Sequence, residues 1–289
     1  NPDYIATIFD RKEKTFRHEK YPDYKANRDP MPEELQVQLP HLWKLIDALQ
    51  IPNLSKKGYE ADDIIGTLAV DGTKNDFEVF IVSGDKDFMQ LINDNVFLYA
   101  PGTKNKPDKI YNKDGVKERW GVPPEKIIDL FGLMGDSSDN IPGVSGVGPK
   151  SAMKLINEYD TLEEALNNAE IVTNKRVRNG LLEGKENAIL SKDLVTIVTD
   201  VPIDYNIKDF ENIEFSKSSL ESLLTEYEFH ALINQLPGSS KPLDDPIKES
   251  KKDYIIIQSL DELKKFVKSV KQKMILSFDI ETDGLNAMQ

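Results

Sequence analysis

The chain has 289 residues, a net charge of −13, no cysteine and three scattered histidines, His18, His41 and His230. Those counts exclude disulfides, thiolate zinc sites and a metal centre built from histidine, and leave oxygen ligands suited to hard cations such as Mg²⁺ or Mn²⁺. Hydrophobic residues make up 39%, enough for a packed core, and no apolar run has the length of a membrane-spanning helix, so the composition predicts a cytoplasmic protein without a membrane partner.

Residues 4–9 are apolar and rich in β-branched side chains, which predicts a buried strand ending at Asp10. A basic stretch follows from Arg11 to Arg28, with seven Lys/Arg against three acids and with Phe16, Tyr21 and Tyr24 interleaved. Cations beside rings suit contact with a phosphate backbone and stacking on bases. A solvated loop with a few core aromatics would read the same way. Leu35, Leu39, Leu42, Ile46 and Leu49 then repeat at helical spacing and predict one amphipathic helix.

Glu60-Ala61-Asp62-Asp63 opens the next predicted helix with acids in its first turn. Residues 78–82 read as a second buried strand, running into Asp85-Lys86-Asp87; a short helix over 88–92 and a third strand over 96–99 follow. Strands alternating with helices predict a mostly parallel sheet covered on both faces. After Pro101 only helices are expected as far as residue 232, broken by the Gly-rich turn Gly143-Val144-Ser145-Gly146-Val147-Gly148-Pro149-Lys150. Such a turn is either a plain tight turn or a phosphate-gripping one, and Lys150 is placed to assist the second. Residues 237–252 have the composition of a linker. Beyond them a strand over 254–258, a helix over 260–270 and a strand over 274–278 leading to Asp279 and Glu281 predict the start of a second α/β domain.

The acids carry the chemical signal. Asp10 and Asp85 each follow a strand, where open parallel sheets place ligands; Asp87, the Glu60 cluster, and Asp136 with Asp139 in a later loop can converge on the same edge. Two like charges about 4 Å apart repel by roughly 4 kcal/mol at an effective dielectric of 20, a cost that divalent cations remove. Each cluster taken alone also reads as ordinary helix capping. Net charge argues against a nucleic-acid partner, but the basic stretch shows how uneven its distribution is.

Phe9-Asp10, Phe16-Arg17-His18-Glu19, Tyr24-Lys25-Ala26-Asn27-Arg28, Gly58-Tyr59-Glu60-Ala61-Asp62-Asp63, Asp85-Lys86-Asp87 and Gly135-Asp136-Ser137-Ser138-Asp139-Asn140-Ile141-Pro142-Gly143-Val144 together resemble the 5′-nuclease domain of bacterial DNA polymerase I, within the flap endonuclease superfamily, over roughly residues 1–235. The resemblance implies two Mg²⁺ or Mn²⁺ ions, one held or surrounded by Asp10, Glu60, Asp62 and Asp63, the other served by Asp85, Asp87, Asp136 and Asp139. It implies an arch in which Lys25 and Arg28 act on the scissile phosphate, with Arg17 and Tyr24 among the DNA contacts. Gly146, Val147, Gly148 and Lys150 would belong to a helix–turn–helix variant gripping duplex phosphates, and a metal-activated water would attack. Family members carry a further strand with a metal-binding Asp ahead of the position of Asn1. The stretch Ser277-Phe278-Asp279-Ile280-Glu281-Thr282-Asp283-Gly284-Leu285 resembles the first motif of the 3′→5′ proofreading domain, with Asp279 and Glu281 as metal ligands.

The expected architecture is therefore an α/β catalytic core with arch over 1–128, a helical DNA-binding subdomain over 129–236, a linker over 237–252 and a partial RNase H-like domain over 253–289. The expected function is cleavage of DNA at 5′ ends, flaps and nicks, RNA primers included, by a monomer on the bacterial nucleoid. Two rivals stay open. One is an RNA-cutting nuclease on a related sheet; the other is a fragment that binds flaps without cutting them.

Overall fold

The computed structural model describes residues 2–104, 106–236 and 256–269. Two compact units divide the chain, Asn1–Phe229 and His230–Gln289. In the first, β1 (Thr7–Ile8) lies parallel to β2 (Asn53–Leu54). Between them come α1 (Phe16–Lys20), α2 (Glu33–Gln36) and α3 (Leu39–Ala48). The single helix expected over the Leu35–Leu49 stripe is thus two. Pro40 sits in the first turn of α3, where its missing N–H costs nothing, whereas inside a continuous helix it would remove a bond and clash. Only Ile46 of that stripe is fully buried; Leu35 and Leu42 are exposed.

Next come α4 (Ala61–Lys74), β3 (Val79–Val82), a 3₁₀ turn (Lys86–Leu91) and β4 (Val96–Ala100), with β3 and β4 parallel and Val79 opposite Val96. A strand absent from the sequence reading, β5 (Lys109–Tyr111), adds antiparallel to β4. Three residues with one charged end carry too little alternation to be seen in advance. Among the described residues β1–β2 and β3–β4–β5 are separate sheets where one mostly parallel sheet was expected, so the strands before Asp10 and Asp85 are not bonded to each other. Nor is β3 buried on both faces. Ile81 is 4% exposed, but Phe80 and Val82 on the other face are 46% and 66% exposed.

The helical half runs α5 (Lys113–Trp120), α6 (Ile127–Met134), α7 (Pro149–Tyr159), α8 (Leu162–Asn167), α9 (Lys175–Glu183), α10 (Lys185–Val195) and α11 (Lys217–Glu226). Its centre is α6, whose Ile127, Leu130, Phe131 and Leu133 are at most 1% exposed, with α10 and α7 packed on it. One apolar core joins Ile81, Met89, Val96 and Leu98 of the α/β half to these helices. The change at residue 128 is one of element type inside one unit. Of the second unit, α12 (His230–Ile233) and α13 (Leu260–Ser269) are described. Residues 256–258, expected in a strand, are irregular. The linker over 237–252, the strand over 274–278, Asp279 and Glu281 lie outside the described residues.

Candidate active site

Four segments bring carboxylates together. Asp10 leaves β1, and its Oδ1 accepts the amide of Ala61, the first residue of α4, at 2.7 Å. Glu60 and Asp62 flank that same residue at the start of α4. Asp85 follows β3, and its Oδ1 accepts the amide of Asp87 at 2.9 Å. Asp136 and Asp139 lie on the loop after α6. That loop is held by backbone bonds in both directions between Asp136 and Ile141, 3.0 and 2.7 Å. Gly135 (φ +67°) begins it, and a Cβ there would stand 2.5 Å from the Ile141 carbonyl, so no other residue fits the turn without displacing it.

Their mutual repulsion is legible in their acidities. Burial, then the charges of Asp85 and Glu60, push the Asp62 carboxyl up to about 7. Burial and Asp85, with Asp136 and Asp139 adding to it, push Asp87 up to about 7 as well. Asp85 is thus the shared neighbour of the two acidic groups. Burial also opposes ionisation of Asp136, but the Lys86 ammonium and the Ser138 amide outweigh it and hold this carboxyl below the ordinary range.

Cations border the acids. Lys25 Nζ donates to Glu60 Oε1 at 2.8 Å and stands 3.7 Å from Asp139 Oδ2; Arg28 pairs with Asp139 and Lys86 with Asp136. The turn carrying Lys25 and Arg28 is strapped to the Asp136–Ile141 loop. Lys25 N–H donates to the Asp139 carbonyl at 2.9 Å, Asn27 to the Ser137 carbonyl at 2.7 Å, and Asn140 to the Asp23 carbonyl at 2.7 Å. Lys25 itself takes a left-handed backbone, φ +57°.

Three sequence expectations meet other roles. Asp63 is wholly buried: its two oxygens accept a fork of bonds from Arg17 at 2.8 Å each, the Glu60 amide at 3.0 Å and the Val198 amide at 2.9 Å. Those four bonds fill its acceptor sites, so it is a strut of the scaffold and not a metal ligand. Arg17, 2% exposed, reaches from Asp63 to the Leu194 and Thr196 carbonyls, so its guanidinium is engaged in the interior. Burial opposes its charge, and the Asp63 bonds still raise its pKa. Tyr24, 4% exposed, gives its hydroxyl to Glu60 at 3.0 Å instead of its ring to a base. In the Gly-rich turn the Val147 side chain is core, while Lys150 is exposed and the Cα of Gly148 faces open space.

Lys86, Asn27 and Asn140 were not singled out from the sequence. Lys86 had a local signal, a cation between two acids; the asparagines had none, because their partners are backbone carbonyls more than 100 positions away.

Among the described residues, no three histidine or acidic side chains stand gathered to hold a metal ion by themselves. The donor set is nonetheless all oxygen, and Asp87 Oδ1 is buried with no hydrogen-bond partner. A buried, unpartnered carboxylate oxygen among like charges is what a hard cation satisfies.

Residues 1–121 match the family model described as 5′-3′ exonuclease, N-terminal resolvase-like domain, and residues 122–218 that described as 5′-3′ exonuclease, C-terminal SAM fold. The chain is similar to DNA polymerase I of Bacillus subtilis, 41% identical over 239 residues, covering 83% of this chain and 27% of that protein. To DNA polymerase I of Pseudomonas aeruginosa it is 37% identical over 298 residues, covering 99% of this chain and 32% of that protein. The chain therefore spans less than a third of the length of these relatives. Among solved structures, the zinc-bound T5 5′-exonuclease aligns with TM-score 0.56 at 23% identity, over 77% of this chain and 82% of that one. The catalytic core of Rad2 in complex with DNA substrate aligns with TM-score 0.53 at 18% identity, over 79% and 77%. Those likenesses show a shared α/β fold.

Proposed function

Since the chain belongs to the 5′-3′ exonuclease family, we propose that its acidic cleft hydrolyses phosphodiesters at 5′ ends, flaps and nicks of DNA, RNA primers included, with two divalent ions, Mg²⁺ or Mn²⁺. The observation that carries this reading is the meeting of Asp62, Asp85, Asp87 and Asp136 from three distant segments, with one buried oxygen of Asp87 unpartnered. Glu60, Asp62 and Asp10 serve one ion; Asp85, Asp87, Asp136 and Asp139 serve the other. Bound ions supply activation of water and neutralisation of the charge that develops on the phosphate. Lys25 and Arg28, already at the rim beside Glu60 and Asp139, hold the scissile phosphate and stabilise that charge. Gly146, Gly148 and Lys150 take the duplex backbone, so specificity is for junction shape and not for sequence.

The relatives named DNA polymerase I are matched over 27–32% of their own length, and the Pseudomonas aeruginosa match runs through nearly all of this chain. That supports reading the chain as the 5′-nuclease part of a bacterial DNA polymerase I, monomeric and at work on nucleoid DNA, with Asp279 and Glu281 beginning a proofreading domain. The binding-only reading is not favoured, since both matching family models are those of exonuclease domains. The test is cleavage of a 5′-labelled flap on a nicked duplex, with Mg²⁺ and with EDTA. Mg²⁺-dependent cutting near the junction, lost in Asp85→Ala, is expected. Flap binding without Mg²⁺-dependent cutting overturns the catalytic reading, and cleavage confined to RNA flaps overturns the substrate.

A further inference from the structure

Lys86 stands between Asp85 and Asp87 in sequence but forms its salt bridge with neither. Among the described residues its one salt bridge crosses to Asp136, 50 positions away on the loop after α6. Two constraints send it there. The turn Lys86–Leu91 is anchored in the core by Phe88 and Met89, 1% and 0% exposed. The ammonium then lies over the ring of Phe131 on α6, 5.5 Å from its centre. That ring is itself fixed, buried and edge-to-face with Trp120, the ring centres 5.0 Å apart. A ring face attracts a cation through its quadrupole, so the place suits the charge as well as the stem.

Asp136 is held from the other side. Its Oδ1 accepts the Ser138 amide at 2.8 Å, and its Oδ2 takes Lys86. A carboxylate has about four acceptor sites. Asp63 has all of them filled, whereas Asp136, with one bond to each oxygen, is oriented and still open to an ion.

We propose that Lys86 is a positioning residue for the ion served by Asp85, Asp87, Asp136 and Asp139: its ammonium clamps Asp136, on the helical half, against the carboxylates that follow β3, and so sets the separation of the ligands. The inference rests on the two-ion nuclease reading above and adds to it the lysine that strand end and loop share. Without the clamp, Asp136 faces only like charge across the gap, and Lys25 and Arg28 cannot substitute because their salt bridges go to Glu60 and Asp139. The sign of one effect separates the two roles a lysine can have here. As a plain counter-charge, Lys86 repels the incoming cation, and its removal tightens metal binding. As a clamp it orders Asp136 in advance, and its removal weakens metal binding.

The test is Mn²⁺ binding without DNA, read from the electron paramagnetic resonance of free Mn²⁺, for the unaltered chain, Lys86→Met, Lys86→Arg and Lys113→Met, with flap cleavage measured alongside. Lys86→Met is expected to weaken the binding of one ion about tenfold, the lower end of what losing the outer partner of a metal ligand costs. At a fixed Mn²⁺ level its kcat should fall by at least as much, with KM for the flap unchanged. Lys86→Arg keeps the charge and recovers most of both. Lys113→Met removes an exposed lysine paired with Asp94 and changes neither. Urea unfolding in EDTA checks each fold, and Lys86→Gln replaces Lys86→Met if that variant does not fold. Equal or tighter Mn²⁺ binding by the neutral variant overturns the inference and leaves Lys86 a counter-charge. A raised KM with Mn²⁺ binding unchanged overturns it too, by making Lys86 a substrate contact, as does a Lys86→Arg no better than Lys86→Met. An unaltered chain that binds no Mn²⁺ refutes the two-ion reading itself.

Discussion

Asp87 shows how a single residue can be both a liability and the point of the design. Its Oδ1 is buried without a partner, and Asp85, Asp136 and Asp139 crowd it electrostatically. Leaving one buried polar group unpaired costs about 1–3 kcal/mol. Asp87→Asn leaves that oxygen unpaired but removes the charge that burial and Asp85 oppose, so in EDTA at pH 8 it should raise stability to urea while abolishing Mg²⁺-dependent cleavage. The pH dependence follows from the sign of the shift. A carboxyl held near 7 in the folded protein but near 3.8 when unfolded binds more protons folded than unfolded between those values, so its share of stability is present at low pH and lost as pH rises through 7. His18, whose pKa burial lowers, acts oppositely below its ordinary value. The comparison of variants removes that term. Between pH 8 and 5.5, stability in EDTA should change less steeply with pH for Asp87→Asn than for the unaltered chain, and equal slopes would refute the assignment.

Elements meet through glycines where the helical half needs backbone contact. Gly180 on α9 faces the Ser145 carbonyl, and Gly135 and Gly143 face each other where α6 passes into the acidic loop. Gly180→Ala puts a methyl 2.0 Å from a backbone oxygen that no rotamer can move. Helix propensity favours alanine there by about 1 kcal/mol, yet the overlap costs typically 1–3 kcal/mol or more, so the net sign is destabilising. Urea unfolding should show it, and duplex binding should weaken because α9 no longer seats on the turn. A more stable Gly180→Ala would mean that α9 does not dock as described. At this scale the sequence was readable where an element had length and period. Helix α4 with its acidic start, α7 after the Gly-rich turn, and the pair β3 and β4 all form near their expected positions. The short β2 and β5 did not announce themselves, and the split of the Leu35–Leu49 stripe into α2 and α3 was signalled by Pro40 but outweighed by the apolar spacing.

At the scale of the whole molecule, Arg17 and Asp63 tie the two halves. They join α1 and the start of α4 to the end of α10 and the segment after it, with both side chains out of solvent. Removing one partner of a buried pair strands the other charge, so Arg17→Met should cost about 3–5 kcal/mol in urea unfolding. The paired change Arg17→Met with Asp63→Leu should recover part of that loss. Recovery stays incomplete because the Glu60 and Val198 amides lose their acceptor. A single variant as stable as the unaltered chain would show that the pair does not brace the molecule.

From the order and types of its residues alone, the chain determined its α/β-then-helical architecture, the acidic segments that converge and the cations beside them. Local periodicity and strand-end chemistry are properties of consecutive residues, and the motifs carry them intact. Tertiary structure alone decided which acid faces the other carboxylates and which is locked into the scaffold. Asp62 and Asp63 are adjacent and chemically identical, but successive helix positions point about 100° apart, so the first feels the charge of Asp85 and the second meets Arg17. It also decided that Arg17 and Tyr24 serve the interior, that β1 and β3 belong to different sheets among the described residues, and that Arg176 comes to rest on Gly146. Each of these depends on contacts between residues far apart in the chain, whose energies no local pattern records.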